Sequence, residues 1–588
     1  MPTLKRGGTC RVCEESCIKG KSRVKGDVWG TRRVRLKACI MTVYVSVVIV
    51  GAVVMLTLLW ILLIYLPGKG DKVTQGEPSG CQSAAVGSRL LHSFYQFFPC
   101  SLSPSLPGPL SLPLLGNMLE LAHDHLPSHL TSLARRYGNI YRLKCGNTTM
   151  VVLNSGDIIR EALVKKWSDF AGRPHSYTGD VVSGGGRSIS LGDYSEEWRA
   201  HRRLAHNALQ RCTQQSLHSV IQKQALQLRQ VEMKHMTVLN LFSLSHYGVL
   251  LDYNGRAADL SGDFTVAASN VITTLAFGKE YEKSSAELQR LHGCLNEIVS
   301  LWGSPWISAL DSFPLLRKLP NPPFSRLLKE VARRDEIIKT HLDEYRMQAP
   351  SKTSEDAIAI TGALLNGLGK PQDTTQGVVL TDTHVHMATV DLLIGGTETT
   401  AAWLSWTVAF LLHRPEVQYR VYDELCSVLD GRYPQYSDRH RLPVLCAVIS
   451  EVLRLRPVAP LAVPHRAIRD SSIAGYFIPK NTVIIPNLFG AHHDPAVWTD
   501  PYAFKPERFL EGGGASTRAL LPFGGGARLC LGEAVAKMEL FLFTAYLLCD
   551  FQFVPAESRA SLPDLTGVAS VVLKAKAYTV IAWPRPGP

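Results

Sequence analysis

The sequence predicts a mainly α-helical α+β domain with small β-sheets, preceded by a single transmembrane helix. Three observations carry this. Apolar residues recur at helical spacing through most of residues 107–588, as they do in helices with one buried face. Short strand-like runs, Ile140–Leu143, Met150–Leu153 and Thr482–Pro486, break that pattern in only a few places. Residues 38–66 carry no charged side chain over 29 positions, whereas a membrane span needs about 20.

Taken in order, residues 1–37 form a basic N-terminal extension with eleven Lys or Arg. Its Cys10, Cys13 and Cys17 lack a second ligand pair at zinc spacing, so no metal is expected there. Residues 38–66 follow as the anchor, being too long for a signal-peptide core and lacking an A-x-A-like cleavage site. Residues 67–106, rich in Gly, Ser and Pro, read as a linker that ends in Leu106-Pro107-Gly108-Pro109. Prolines remove backbone donors and stiffen this path. Residues 107–588 form one continuous domain without internal repeats. One stretch fits poorly. Thr237–Gly255 is apolar without clean helix caps, and is either an insertion or foreign to the working protein.

Composition excludes several classes. At 46% apolar and 19% charged residues, the chain is not mainly disordered, collagenous or coiled coil. Its net charge of +13 suits nucleic acid, an anionic membrane or an acidic protein. The basic residues are spread out with no nucleic-acid reading motif, so no nucleic acid is expected. Thirteen scattered cysteines, an odd number, argue for a reducing compartment rather than a disulfide framework. There is no P-loop, no G-x-G-x-x-G after a strand and no flavin module, so electrons for a redox reaction must come from outside.

The sharpest signal is Phe523-Gly-Gly-Gly526-Ala-Arg528-Leu-Cys530-Leu-Gly532, an F-x-x-G-x-R-x-C-x-G pattern. Average residue usage gives this by chance in about one of 10⁴ chains of this length. The residue types suit a cysteine bound to haem iron. Glycines let the backbone approach the sulfur and aim N–H groups at it. Those bonds and the iron hold a thiolate that a free cysteine mostly is not at neutral pH. A helix expected over Glu533–Leu548 adds its N-terminal dipole. Upstream, Gly395-Gly396-Thr397-Glu398-Thr399-Thr400 lies inside a long apolar helical pattern, about Val385 to Leu412. Glycine and threonine there weaken helical bonding and invite a local opening.

These residues resemble the cytochrome P-450 superfamily over about residues 105–585, which implies the cytochrome P-450 fold and haem b with an axial thiolate from Cys530. Glu451-Val-Leu-Arg454 resembles the family's E-x-x-R and, with Arg508 of Pro506-Glu507-Arg508-Phe509, implies a buried triad bracing the haem side of the core. The resemblance makes 395–400 a dioxygen groove, with Thr399 hydrogen-bonding to dioxygen and Glu398 relaying protons. It assigns Arg173, Trp198, Arg202, His465 and Arg528 to the haem site, the charged ones facing its carboxylates.

Several blocks look like the steroid 21-hydroxylase branch: Val164-KKWSDFAGRP, Leu191-GDYSEEWRAH, Asp391-LLIGGTETT and Val483-IIPNLFGAHHDPAVW. Gly395-Gly396-Thr397 favours that branch over the 17α-hydroxylases, which usually carry alanine, glycine and valine there. The implied reaction is hydroxylation at C21 of progesterone or 17α-hydroxyprogesterone, with a 17α-hydroxylase, a broad oxidase or a haem sensor as rivals. The implied partners are a steroid, NADPH–cytochrome P-450 reductase and the endoplasmic reticulum membrane. The positive-inside rule would leave residues 1–37 in the cytosol, whereas the resemblance puts the catalytic domain there. The segment Arg333-Arg334-Asp335-Glu336 reads by itself as a solvated helix face. By resemblance, Arg334 instead enters the substrate pocket and binds the steroid 3-keto oxygen.

Overall fold

The computed structural model describes residues 106–229 except 114 and 147, then 256–348, 359–368, 378–510, 518–556 and 562–585. The expected anchor at 38–66, the basic extension, most of the linker and the Thr237–Gly255 stretch lie outside them. No helix among the described residues is long and apolar enough to cross a membrane.

Among the described residues the fold is mostly helical, with one four-stranded mixed sheet and three two-stranded ladders. The elements that build the site are β1 (Ile140–Cys145), β2 (Thr148–Leu153), α1 (Glu196–Gln215), α2 (Ser261–Phe277), α3 (Pro322–Gln348), α4 (Asp382–His413), α5 (Pro443–Leu455), β3 (His465–Arg466), β4 (Val483–Pro486), α6 (Glu533–Asp550), β5 (Phe551–Pro555) and β6 (Val580–Pro584). The sheet order is β1-β2-β4-β3. β1 and β2 form an antiparallel hairpin pairing Ile140 with Leu153. β4 joins β2 in parallel, Met150 opposite Val483, and β3 closes the edge antiparallel to β4. β5 and β6 make a separate antiparallel ladder. The three strand-like runs of the sequence are thus all strands, each within two residues of its expected ends.

α4 is the axis of the core. Its apolar residues are spread around the helix rather than confined to one face, which fits a helix surrounded by protein. α2 packs along it most extensively, with α6, α5 and α3 also against it. Thr381 N donates to His384 Nδ1 at 3.2 Å at its start. It stops at His413 because Arg414 precedes Pro415, which pushes residue 414 out of the helical region (φ −135°, ψ 67°). Despite its two glycines, α4 runs unbroken through 395–400. The expected opening is not a break. Thr399 Oγ1 donates to the Gly395 carbonyl instead, a back-bond that competes with the helical ladder without ending it.

α1 begins at Ser195, whose Oγ accepts from Trp198 N at 3.0 Å, with Glu196 and Glu197 in the first turn complementing the helix dipole. α5 starts on Pro443 at its first position and ends at Leu455, one residue before Arg456 and Pro457. Its Glu451 and Arg454 are both 0% exposed. Arg454 Nε and Nη2 grip the two carboxylate oxygens at 2.7 and 2.9 Å, and Arg508 Nε reaches Glu451 Oε1 at 3.1 Å. Arg454 also donates to the carbonyls of His492 and Pro501, both at 2.7 Å. This is the expected triad, and it ties α5 to the segment leading into the cysteine loop.

Candidate active site

A cavity of about 380 Å³ lies between α4, α1, the start of α6 and the loop 522–532. Cys530 lies on its wall in that loop, whose turn is closed by Cys530 N donating to the Phe523 carbonyl at 3.0 Å. The glycines act through space. Gly526 sits at φ +65°, and a Cβ there would lie 1.8 Å from the Leu163 carbonyl oxygen. Only glycine lets the loop dock so closely on residues 161–165. The Gly532 backbone N–H is directed at the Cys530 sulfur and lowers its pKa, but the surrounding protein raises it more, so the net shift is upward. The other described cysteines are also free, and none of them lines this cavity.

Arg173, Arg202 and Arg528 converge with His465, all four on the cavity wall, and Arg202 also donates to the Leu529 carbonyl beside Cys530. Arg528 donates to the carbonyls of Ala171 (2.8 Å) and Gly192 (2.8 Å), and its guanidinium lies 3.8 Å from the Trp198 ring centre. Arg173 donates from Nη1 to Val463 and Pro464 carbonyls, both at 3.0 Å. Burial, then mutual repulsion, depress these cations, Arg173 to about 9 and Arg528 to about 8. His465 falls well below its usual value through burial and the nearby Arg173, while its Nδ1 bonds the Phe170 carbonyl at 2.8 Å. Asp193 is the carboxylate that acts on Arg173 and Arg528, and the hydrogen bonds of these two guanidinium groups go to neutral carbonyls, so the cluster has room for further negative charge. Two carboxylates would supply it. A thiol and this cluster on the wall of one cavity fit haem b.

On α4, Gly395 and Thr399 face the cavity. A Cβ on Gly395 would meet nothing within 4 Å, whereas one on Gly396 would lie 2.3 Å from Ile272 on α2. Gly395 therefore keeps the groove open, and Gly396 lets α2 and α4 close up. Three expected site residues are off the cavity wall. Trp198 lies behind Arg528, its Nε1 donating to the Ile189 carbonyl at 2.9 Å. Glu398 forms an ion pair with Lys574 and does not line the cavity. Arg334 is not on a solvated face, being 0% exposed. Its Nη1 donates to the Val182 carbonyl at 2.8 Å, and the guanidinium pairs with Asp335 at 2.8 Å. It stands near enough to Asp391, a cavity-wall residue, to act on that carboxyl's charge.

Two wall residues carried no signal in the sequence. Glu539 on α6 accepts from Thr400 Oγ1 at 2.8 Å, and burial raises its carboxyl to about 8. Asp391 on α4 accepts from Ser190 Oγ and Ile189 N, both at 2.6 Å. The i, i+4 spacing of Asp391, Gly395 and Thr399 puts them on one helix face, a clue readable only once that face is known to meet a cavity.

The Cytochrome P450 family profile matches residues 106–582. The chain is 40% identical over 507 residues to steroid 21-hydroxylase of Homo sapiens, covering 85% of this chain and 95% of that protein. It is 40% identical over 479 residues to steroid 21-hydroxylase of Bos taurus, covering 80% of this chain and 91% of that one. A zebra fish cytochrome P450 solved with progesterone superposes with a TM-score of 0.66 at 34% identity, covering 78% of this chain and 99% of that structure.

Proposed function

The chain belongs to the cytochrome P450 family, and from that premise we propose that it hydroxylates C21 of progesterone or 17α-hydroxyprogesterone at the endoplasmic reticulum membrane. Family membership makes it a haem-dependent monooxygenase whose iron is held by a cysteine thiolate. The observation that carries the C21 reading is 40% identity to human steroid 21-hydroxylase across 95% of that protein. The zebra fish relative solved with progesterone supports a steroid-sized cavity.

Haem, when bound, supplies activation of dioxygen and transfer of one oxygen atom into a C–H bond, the other leaving as water. The rest is the work of side chains. Cys530 provides the thiolate. Arg173, Arg202, His465 and Arg528 would hold the carboxylates, and Trp198 fixes Arg528 from behind. Thr399 presents a hydroxyl whose hydrogen goes to Gly395, leaving lone pairs for a proton donor in the groove. Glu398 lies between that groove and Lys574, which is 43% exposed. That is a place for taking protons from solvent rather than for touching dioxygen. Electrons come from NADPH–cytochrome P-450 reductase, an acidic partner suited to the +13 chain. The catalytic domain faces the cytosol, where that reductase is.

The test is the product formed from progesterone by the full chain with the reductase. Hydroxylation at C21 is expected, and a 17α-hydroxylated product overturns the reading. In the same assay Thr399→Ala keeps haem and steroid but diverts NADPH to hydrogen peroxide. An unchanged ratio of steroid product to NADPH would remove Thr399 from the mechanism.

By resemblance Arg334 is the proposed orienting contact; because it lies off the cavity wall, bonded to the Val182 carbonyl and Asp335, this requires its guanidinium to turn toward the steroid on binding. A steroid is almost wholly apolar, so one charged donor at its far end decides which methyl group meets the iron. A hydrogen bond to a charged group contributes about 1.5–3 kcal/mol. Arg334→Ala is thus expected to raise the dissociation constant for progesterone roughly ten- to hundredfold, with the haem spectrum intact. Arg333, outward-facing and near Glu330 at 3.6 Å, is expected to do much less. Spectral titration of both variants decides, and equal affinity in Arg334→Ala and the parent removes the contact.

A further inference from the structure

A two-residue strap, Ile189–Ser190, crosses the cavity wall between α4 and the arginine cluster. Its backbone groups are all engaged, each edge by a different party. On the α4 edge, Asp391 Oδ2 accepts from Ile189 N at 2.6 Å and from Ser190 N at 3.4 Å, and Oδ1 accepts from Ser190 Oγ at 2.6 Å. On the other edge, the Ile189 carbonyl accepts from Trp198 Nε1 at 2.9 Å and Arg528 Nη1 at 3.3 Å. The Ser190 carbonyl accepts from Arg173 Nε at 2.9 Å. The strap's neighbours are equally confined. Ser188 Oγ accepts from Leu191 N at 2.9 Å, and a Cβ on Gly192 would lie 2.4 Å from the Ser188 carbonyl oxygen.

We infer that Asp391 is a positioning residue that holds the Ile189–Ser190 strap as a wall of the substrate cavity and, through the strap's carbonyls, ties that wall to the side chains that hold the haem carboxylates. Both Asp391 oxygens are already taken, so the acid shapes the cavity through the strap rather than as a ligand of its own. Burial pushes its carboxyl up to about 6, against the three hydrogen bonds and Arg334, which pull it down. A carboxylate is costly to keep in such a place unless its bonds are made, and here the strap makes them. The two edges are not equivalent. The guanidinium donors of Arg173 and Arg528 would be shared with any carboxylate bound in the cluster, whereas the bonds of Asp391 and of Trp198 would not, so Asp391 anchors the α4 edge of the strap in the haem-loaded protein.

The inference rests on the proposed cavity assignment only where steroid is involved, so its test has two arms. In the first, hydrogen–deuterium exchange is measured on the haem-loaded full chain without steroid, for the parent, Asp391→Asn, Asp391→Ala and Ser190→Ala. Losing hydrogen bonds to a charged acceptor is expected to speed exchange at the 189 and 190 amides roughly ten- to hundredfold in Asp391→Ala. Asp391→Asn, which keeps one acceptor oxygen, and Ser190→Ala, which loses only the hydroxyl bond, are expected to show smaller increases. Unchanged exchange in Asp391→Ala overturns the inference, as does an increase spread evenly through α1 and α4. If Asp391→Ala does not fold, Asp391→Asn carries the same comparison. The second arm measures progesterone affinity and product positions. Asp391→Ala is expected to weaken binding and to spread hydroxylation over more than one carbon while the reduced carbon-monoxide spectrum stays as in the parent. A single product at parental affinity overturns the inference. A parent that fails to bind progesterone removes the proposed substrate while leaving the exchange result standing.

Discussion

Replacing Cys530 by histidine abolishes the strongly red-shifted Soret band of the reduced, carbon-monoxide-bound protein and takes steroid turnover below detection. The expectation follows from the sulfur's surroundings. Burial raises the Cys530 thiol, and the Gly532 N–H offsets that only in part. With its pKa raised, this sulfur would become a thiolate at neutral pH by a metal taking the proton's place. A histidine would offer a neutral nitrogen, which binds iron without the electron donation that assists O–O cleavage. Among the described residues, Cys530 is the cysteine on the cavity wall, so no neighbouring thiol there can take over. A spectrum that keeps the shifted band in Cys530→His would move the ligand to another residue.

Glu451→Ala is expected to cost about 3–5 kcal/mol, because it strands a fully buried guanidinium. Arg454 is 0% exposed and Arg508 is close to buried, and both direct nitrogens at the same carboxylate. Burial already lowers the Arg454 pKa, and Glu451 is what holds it up. Domains are typically stable by only about 5–15 kcal/mol, so the loss takes a large share of the total. Chemical unfolding of the haem-loaded protein should show it, along with haem released at lower denaturant. Glu451→Gln keeps the volume and one acceptor oxygen but not the charge, and should fall between. A Glu451→Ala protein within about 0.5 kcal/mol of the parent, the range of ordinary surface changes, would show that the triad is not needed.

The features legible in the sequence are those whose partners sit within one turn or one strand. Cys530, Gly526 and Arg528 declare themselves by spacing, as do Glu451 and Arg454, and α4 by its length and apolar run. The strand ends are read within two residues because alternation is local. What the sequence hid depends on distant partners. Glu398 stands in an obvious motif, yet Lys574, 176 positions away, holds it off the cavity. Asp391 lies in the same block, but its bonds go to residues 189 and 190, which have no pattern of their own. Glu539 looks like one more charge on α6 until Thr400 is found against it. Arg334 is the converse case. Its charged neighbours suggest a wet surface, and packing against the Val182 carbonyl puts it inside.

The parallel pairing of β2 with β4 sets a timetable for synthesis. Asn154 and Asn487, at the ends of these strands, bond at 2.8 Å across 333 positions. Arg528 reaches the Ala171 carbonyl across 357. At roughly 5–20 residues per second, a ribosome needs on the order of 20–70 s to deliver the second partner after the first. During that interval the β1–β2 hairpin has an unpaired edge, and α4 emerges with its apolar surface uncovered before α6 exists to cover it. A nascent chain in that state is a substrate for chaperones that shield strands and apolar helices. Prosthetic-group capture must wait for the thiol of Cys530 and for Arg528, which leave the ribosome more than 300 positions after Arg173 and Arg202.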